Sequence, residues 1–295
     1  MALLGVDLGA TKVSAALFDN EGNILERRYA LLEGRTSDQA GEFICSTVVS
    51  LCKDFSVSGV GVCVPGIVYS KRGTVWAPNI PGWEDYPLLS LLKKSLGDVR
   101  IEIESDRTCY ILGEKWKGEA RGCDNAIYLA VGSGIGAGIL LDGRVIHGAD
   151  DIVGATGWMA LEGEYDKEWD ACGCFETFAS GNGIGNRASK LYGKKVSSYE
   201  VFENYAKGDP IAESVINKAI QMWGKGAANI VSLFNPEVIV FGGGVFAGAA
   251  KDLIPQIYAE SLKWAQPIAI RKTRFCPSAL GADAALLGAG YLVKQ

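Results

Sequence analysis

No stretch of the 295-residue chain approaches the roughly 18 consecutive apolar residues that a membrane-spanning helix needs. Charge of neither sign dominates. The 29 basic and 34 acidic residues leave a net charge of −5, scattered along the chain. Such a balance provides no electrostatic footprint for nucleic acid or an anionic membrane, and neither is expected as a partner. The opening "MALLGVDLGATK" reaches Asp7 with no basic region or cleavage site, so a secretory leader is not expected. Eight cysteines in a chain of this length do not make a disulfide scaffold. Several, such as Cys63 in "VGVCVPG", sit in apolar runs that suit reduced, buried thiols. The expected compartment is the cytoplasm. Histidine is reduced to a single residue, His147, and no low-complexity linker interrupts the chain.

What is present is apolar residue and glycine. At 48% hydrophobic, the length suits two domains, each burying its own core. Residues 1–28 read strand ("ALLGVD"), glycine turn ("LGATK"), strand ("VSAALFD"), turn, strand, and residues 125–147 repeat that order. Helices are expected at 38–54, 86–96, from 107, at 176–191, 198–206, 210–234, 246–263 and from 282. Strands are expected at "VSGVGVCVPG", "VRIEIES", "EVIVFGGG" and 268–275. Helices mixed with strands in both halves predict two α/β domains with a cleft between them. The boundary is placed at 118/119, within the turn-rich "GEARGCDN", which is the candidate hinge.

Three glycine turns are the candidate ligand sites. In "DLGATK", Asp7 could carry a metal or its water shell, Gly9 lets backbone approach a phosphate, and Thr11 supplies a hydroxyl. In "VGSGIGAG" a glycine stands at every second position from Gly132 to Gly138. That spacing between strands differs from the dinucleotide fingerprint, which opens a helix. In "FGGG", Gly242, Gly243 and Gly244 end a strand and precede a helix, where a flat group or a phosphate fits. "DLGATK" alone also suits a tight hairpin; the three turns together point to a nucleotide, with paired turns clasping a polyphosphate through backbone N–H groups. Asp106 lies where the strand "VRIEI" meets a helix and suits an N-cap, a catalytic carboxylate, or both. In "ASGNGIGNRASK", a cap from Ser180 or Asn182 competes with nucleotide contact. Trp76 and Trp83 bracket Asn79, where aromatic side chains could face a sugar or anchor the loop.

These turns, with "CVPGIV", "PNIPGW", "ESDRTCYILGE" and "CFETFASG", resemble in order along nearly the whole chain the ROK family of sugar kinases and repressors. The resemblance implies the two-domain actin-like (RNase H-like) ATPase fold, with the last helix packing back toward the N-terminal domain. It implies ATP and Mg2+ held by Asp7, Gly9, Thr11 and Lys12 and by Gly132, Ser133, Gly134 and Gly136, with adenosine at Gly242–Gly244. Asp106 becomes the base for a sugar hydroxyl, while Asn79 and Glu176 contact the sugar. Ser105 stands where asparagine more often touches it. Many relatives are dimers, so a homodimer is possible. The repressors' helix-turn-helix domain is not expected, because the first strand starts at Ala2.

Two departures stand out. Where relatives read Glu-x-Gly-His this chain reads "ATGW", with Ala155 and Trp158 at the substrate. Of the cysteine cluster that binds structural zinc with that histidine, only "CGCFE" remains. Cys172 and Cys174 cannot supply the usual four ligands, so no zinc is expected, and His147 reads as a loop residue. The expected function is ATP-dependent phosphorylation of a hydroxyl of a sugar or sugar-like polyol, and not plain glucose. The alternatives are a non-catalytic sugar-sensing regulator and an ATPase that drives conformational change.

Overall fold

The computed structural model describes residues 2–9 and 11–294. In chain order the elements are β1 (Ala2–Leu8), β2 (Lys12–Phe18), β3 (Ile24–Leu31), α1 (Ser37–Asp54), β4 (Val57–Val64), β5 (Ile67–Tyr69), β6 (Thr74–Trp76), α2 (Leu88–Leu96), β7 (Arg100–Ser105) and α3 (Asp106–Lys117). There follow β8 (Ala126–Val131), β9 (Ile135–Leu141), β10 (Arg144–Val145), α4 (Cys174–Ala179), α5 (Gly181–Tyr192), α6 (Ser198–Ala206) and α7 (Pro210–Phe234). The chain closes with β11 (Val238–Gly242), α8 (Gly244–Ala247), α9 (Ile254–Ser261), α10 (Pro267–Ile270), β12 (Arg274–Pro277) and α11 (Ala284–Leu292).

The chain divides into two compact units. Unit 1 takes Met1–Arg121, His147–Val153 and Ala282–Gln295; unit 2 takes Gly122–Ile146 and Gly154–Gly281. Each holds one five-stranded sheet, ordered β3-β2-β1-β4-β7 in unit 1 and β10-β9-β8-β11-β12 in unit 2. In both, the three-strand meander is antiparallel and the remaining pairs are parallel. The repeat read in the sequence is therefore a repeated sheet. The buried parallel strands carry near-continuous apolar runs, as in "VIVF" of β11, because both faces are covered.

In unit 1, α11 packs on α3 and β1. The approach needs glycine: a Cβ at Gly288 would strike the Cys109 carbonyl, and one at Gly113 the Ala284 carbonyl. The division falls between Arg121 and Gly122, inside the turn-rich stretch, and His147–Val153 returns to unit 1. No helix among the described residues is long and apolar enough to cross a membrane.

Three expected elements differ. Helix 176–191 is two helices, because Ser180 is extended (ψ 166°) and caps α5 by accepting from Gly183 N at 2.9 Å. The expected helix 246–263 is broken at Gly248 into α8, a 3₁₀ stretch over Ala249–Leu253, and α9. Residues 268–275 do not form one strand. Pro267 opens α10, and the Gln266 side chain caps it by accepting from Ile268 N and Ala269 N at 2.8 and 2.7 Å, so β12 starts only at Arg274.

Candidate active-site residues

In unit 1, β1 delivers Asp7 to a hairpin closed by Gly9 N donating to the Lys12 carbonyl at 2.8 Å. Thr11 is exposed, and its carbonyl accepts from Leu32 N at 2.8 Å; Ala10 lies outside the described residues. The Lys12 ammonium stands 5.7 Å from the Tyr29 ring centre. Asp7 is register partner to Cys63 of β4. Burial raises the Asp7 pKa; a hydrogen bond with Cys63 and the Lys12 charge oppose that rise.

Asp106 opens α3 but does not cap it. The cap is Ser105, whose Oγ accepts from Thr108 N at 3.3 Å and lies 3.2 Å from Thr108 Oγ1. The capping role open to Asp106 thus belongs to its neighbour, and the carboxyl of Asp106 is left for other work. Its Oδ1 accepts from the adjacent Arg107 N, at 2.8 Å. Burial pushes its pKa up to about 6; Arg107 pulls it down and the Asp7 charge adds to the rise. A carboxyl with that pKa is mostly ionised at neutral pH, the form able to accept a proton from a hydroxyl.

Asn79 is exposed on the loop after β6. Its two tryptophans differ. Trp83 is buried, stacked on Tyr86 at 4.4 Å and bonded through Nε1 to the Ser37 carbonyl at 3.0 Å, so it anchors the loop. Trp76 keeps 36% of its surface exposed. His147 is more than a loop residue: its Nε2 lies 2.7 Å from Glu104 Oε1, and that bond raises its pKa against the opposing effect of burial.

In unit 2, the second glycine turn joins β8 to β9, with Gly132 N donating to the Gly134 carbonyl at 2.9 Å and Gly136 already inside β9. Gly181 N, at the head of α5, donates to the Gly132 carbonyl at 2.7 Å. Gly243 has φ +84°, and a Cβ there would lie 2.5 Å from the Val131 carbonyl oxygen. Gly132, Ser133, Gly181, Asn182 and Gly244 line one cavity of about 510 Å³. The sequence reading missed its wall from α6, Tyr199 and Phe202 with Glu203 and Ala206. The available signal was an aromatic pair on one face of a short helix whose register against the glycine turns only folding sets.

Glu176, on α4, accepts from Ile135 N through Oε2 at 2.6 Å and presses against Gly134 and Gly157. Burial raises its pKa while the Ile135 N–H opposes. Ala155 leads into the 3₁₀ turn Thr156–Trp158, where Trp158 is 58% exposed. Thr156 Oγ1 is buried and has no hydrogen-bond partner among the described residues. Cys172 Sγ lies 3.3 Å from Thr177 Oγ1, and Cys174 is buried in the first turn of α4. Among the described residues no group of three or more His, Cys, Asp or Glu is placed to hold a metal ion.

A family model described as "ROK family" matches residues 3–295. The chain is 30% identical to a glucokinase of Halalkalibacterium halodurans, over 99% of this chain and 94% of that protein. It is 27% identical to an N-acetyl-D-glucosamine kinase of Citrobacter koseri, over 82% and 83%. It is also similar to the crystal structure of a Streptomyces griseus ROK glucokinase in complex with glucose and AMPPNP, at TM-score 0.77 and 26% identity over 99% of each chain.

Proposed function

The chain belongs to the ROK family and has its two-domain actin-like ATPase fold, and from that premise we propose that it is an ATP-dependent sugar kinase acting on a modified sugar or a related polyol. The observation that carries the reading is Asp106, a carboxyl free of capping duty, with a pKa of about 6, electrostatically coupled to Asp7. Asp106 accepts the proton of the attacking hydroxyl. The cavity of unit 2 takes the nucleotide, its phosphates against the glycine turn Gly132–Gly136 and its adenosine at Gly242–Gly244 near Tyr199 and Phe202.

Asp7 fits magnesium held through ATP or its water shell, being a hard oxygen donor beside a glycine turn. When bound, the ion neutralises charge on the phosphate oxygens. Transfer passes through a loose transition state, so this chain's own task is to position donor and acceptor and to exclude water. Asn79 and Glu176 meet the sugar. Glu176 also holds the start of β9, which couples sugar recognition to the phosphate turn. Ser105 is assigned to the helix cap first, with any sugar contact passing through its remaining lone pair.

Support for a modified substrate comes from Ala155 and Trp158. A methyl group and an exposed indole face suit an edge that is substituted or deoxygenated better than one lined with hydroxyls. The kinship to an N-acetyl-D-glucosamine kinase as well as to a glucokinase fits that choice. The same pair of residues is also what would favour a sugar sensor without catalysis. A coupled ADP-release screen over sugars, amino sugars and cyclitols separates the readings. Stoichiometric sugar phosphate is expected, whereas sugar binding without ADP release would establish the sensor. The reduced cysteines fit a cytoplasmic location, and a homodimer is to be sought by light scattering.

A further inference from the structure

In unit 2, the segment 159–173 joins Trp158 to α4 and therefore sets both Trp158 and Glu176. The family resemblance implies a structural zinc at this segment, but the donors present do not fit one. Trp158 stands in the histidine's place, Cys172 is bonded to Thr177, and the sole histidine is bonded to Glu104. Two thiols fall short of the four ligands of a closed site.

We propose that a metal-free clasp centred on Lys218 and Phe178 replaces the zinc and holds this segment so that Trp158 and Glu176 meet the sugar. Lys218 Nζ donates to Glu162 Oε1 at 2.5 Å and lies 5.1 Å from the Phe178 ring centre. Lys225, two turns further along α7, lies 3.4 Å from the same oxygen and donates to the Leu161 carbonyl at 3.2 Å. Phe178 also takes the edge of Trp169 at 6.1 Å and the Arg187 guanidinium at 4.5 Å. One aromatic ring, two residues beyond Glu176, thus gathers the segment, α5 and α7.

The ion pairs are three-quarters buried, so salt screens them less than exposed pairs. Burial alone would raise the Glu162 pKa, yet the two lysines hold it below its ordinary value. The ends of the segment are pinned as well: a Cβ at Gly173 would strike the backbone of Gly157 and Trp158. Lys218, Glu162 and Phe178 are positioning residues, acting through Trp158 and Glu176. Only the purpose of the clasp rests on the sugar-kinase reading; its contacts do not.

The test compares wild type, Lys218→Met, Lys218→Arg and Glu162→Gln. Hydrogen–deuterium exchange should quicken over 155–173 in Lys218→Met and Glu162→Gln, return toward wild type in Lys218→Arg, and stay unchanged when wild type meets a zinc-selective chelator. The KM for the sugar should rise at least about tenfold in the first two, within the roughly hundredfold that 1 Å of misplacement can cost. The KM for ATP should stay within about twofold. Chelator-induced loosening of wild type, or unchanged exchange in both Lys218→Met and Glu162→Gln, overturns the clasp. Faster exchange with an unmoved sugar KM overturns its role at the sugar. If wild type phosphorylates no sugar, the kinase reading fails while the exchange measurement still decides the clasp. Should Lys218→Met not fold, Glu162→Gln carries the comparison.

Discussion

Asp106 is asked to be both buried and charged. Burial holds it out of water, and the coupled Asp7 carboxylate penalises its ionised form further. Its folded pKa of about 6 lies above its ordinary value of 3.8, so the folded state holds the proton more tightly. Stability from this group is fully present below about pH 4 and is lost as the pH rises through about 6. The proposed role as base needs the opposite form. We expect kcat/KM to fall as the pH drops below about 6, with a limb that Asp106→Asn removes. That variant should lose roughly 10²–10⁴ in kcat at little change in KM for ATP. It should also unfold at a higher temperature than wild type at pH 8, because asparagine carries no charge to desolvate. Activity within tenfold of wild type, or a Tm below it, would contradict the assignment. Sequence left cap and base open at this residue; the structure moved the cap to Ser105.

Among elements, the turn from β11 into α8 carries the sharpest constraint. Gly243 combines φ +84° with a Val131 carbonyl where a side chain would begin. Gly243→Ala should cost about 1–3 kcal/mol of stability and raise the KM for ATP more than that for the sugar, as denaturant titration and two-substrate kinetics would show. Alanine tolerated in both measurements would mean that the turn yields. The segment His147–Val153 is a second case. It is held in unit 1 by the His147–Glu104 bond and by Asp151 accepting from Ser70 N at 2.9 Å. The His147 pKa is raised above 6.5, so its stabilising pair is complete below that pH and is lost as the pH rises through the folded value. His147→Asn should therefore lower Tm at pH 6 by more than at pH 9. An equal loss at both would show that the charge contributes nothing.

At the scale of the whole molecule, two sheets of the same order give each unit a glycine turn at the equivalent place, between the first two strands of the meander. In the proposed kinase the glycine turns are expected to meet the phosphates, and the side chains at 155, 158 and 176 to select the acceptor. Hydrogen bonds to charged groups contribute roughly 1.5–3 kcal/mol each. Losing two of them at Ala155 and Trp158 should leave glucose at least about a hundredfold behind the best modified sugar in kcat/KM. Glucose matching every member of the panel would refute this. Ala155→Glu combined with Trp158→His should shift preference toward glucose, and an unmoved ratio would place discrimination elsewhere.

The sequence by itself determined the repeated strand–turn–strand unit, the three glycine turns and the junction that presents Asp106. These features are local: a glycine spacing or an alternation of apolar residues acts within a few positions, so the chain states them directly. It misplaced some boundaries set by single residues, and it could not state what depends on distant partners. Helix breaks at Ser180 and Gly248 and the helical start at Pro267 were decided by caps and backbone freedom at single residues within apolar runs. The aromatic wall of α6, the His147–Glu104 bond and the gathering of Glu162, Lys218 and Trp169 about Phe178 join residues tens of positions apart. Only tertiary structure decides those, because burial and pairing, the forces that bring such groups together, have no address in the local sequence.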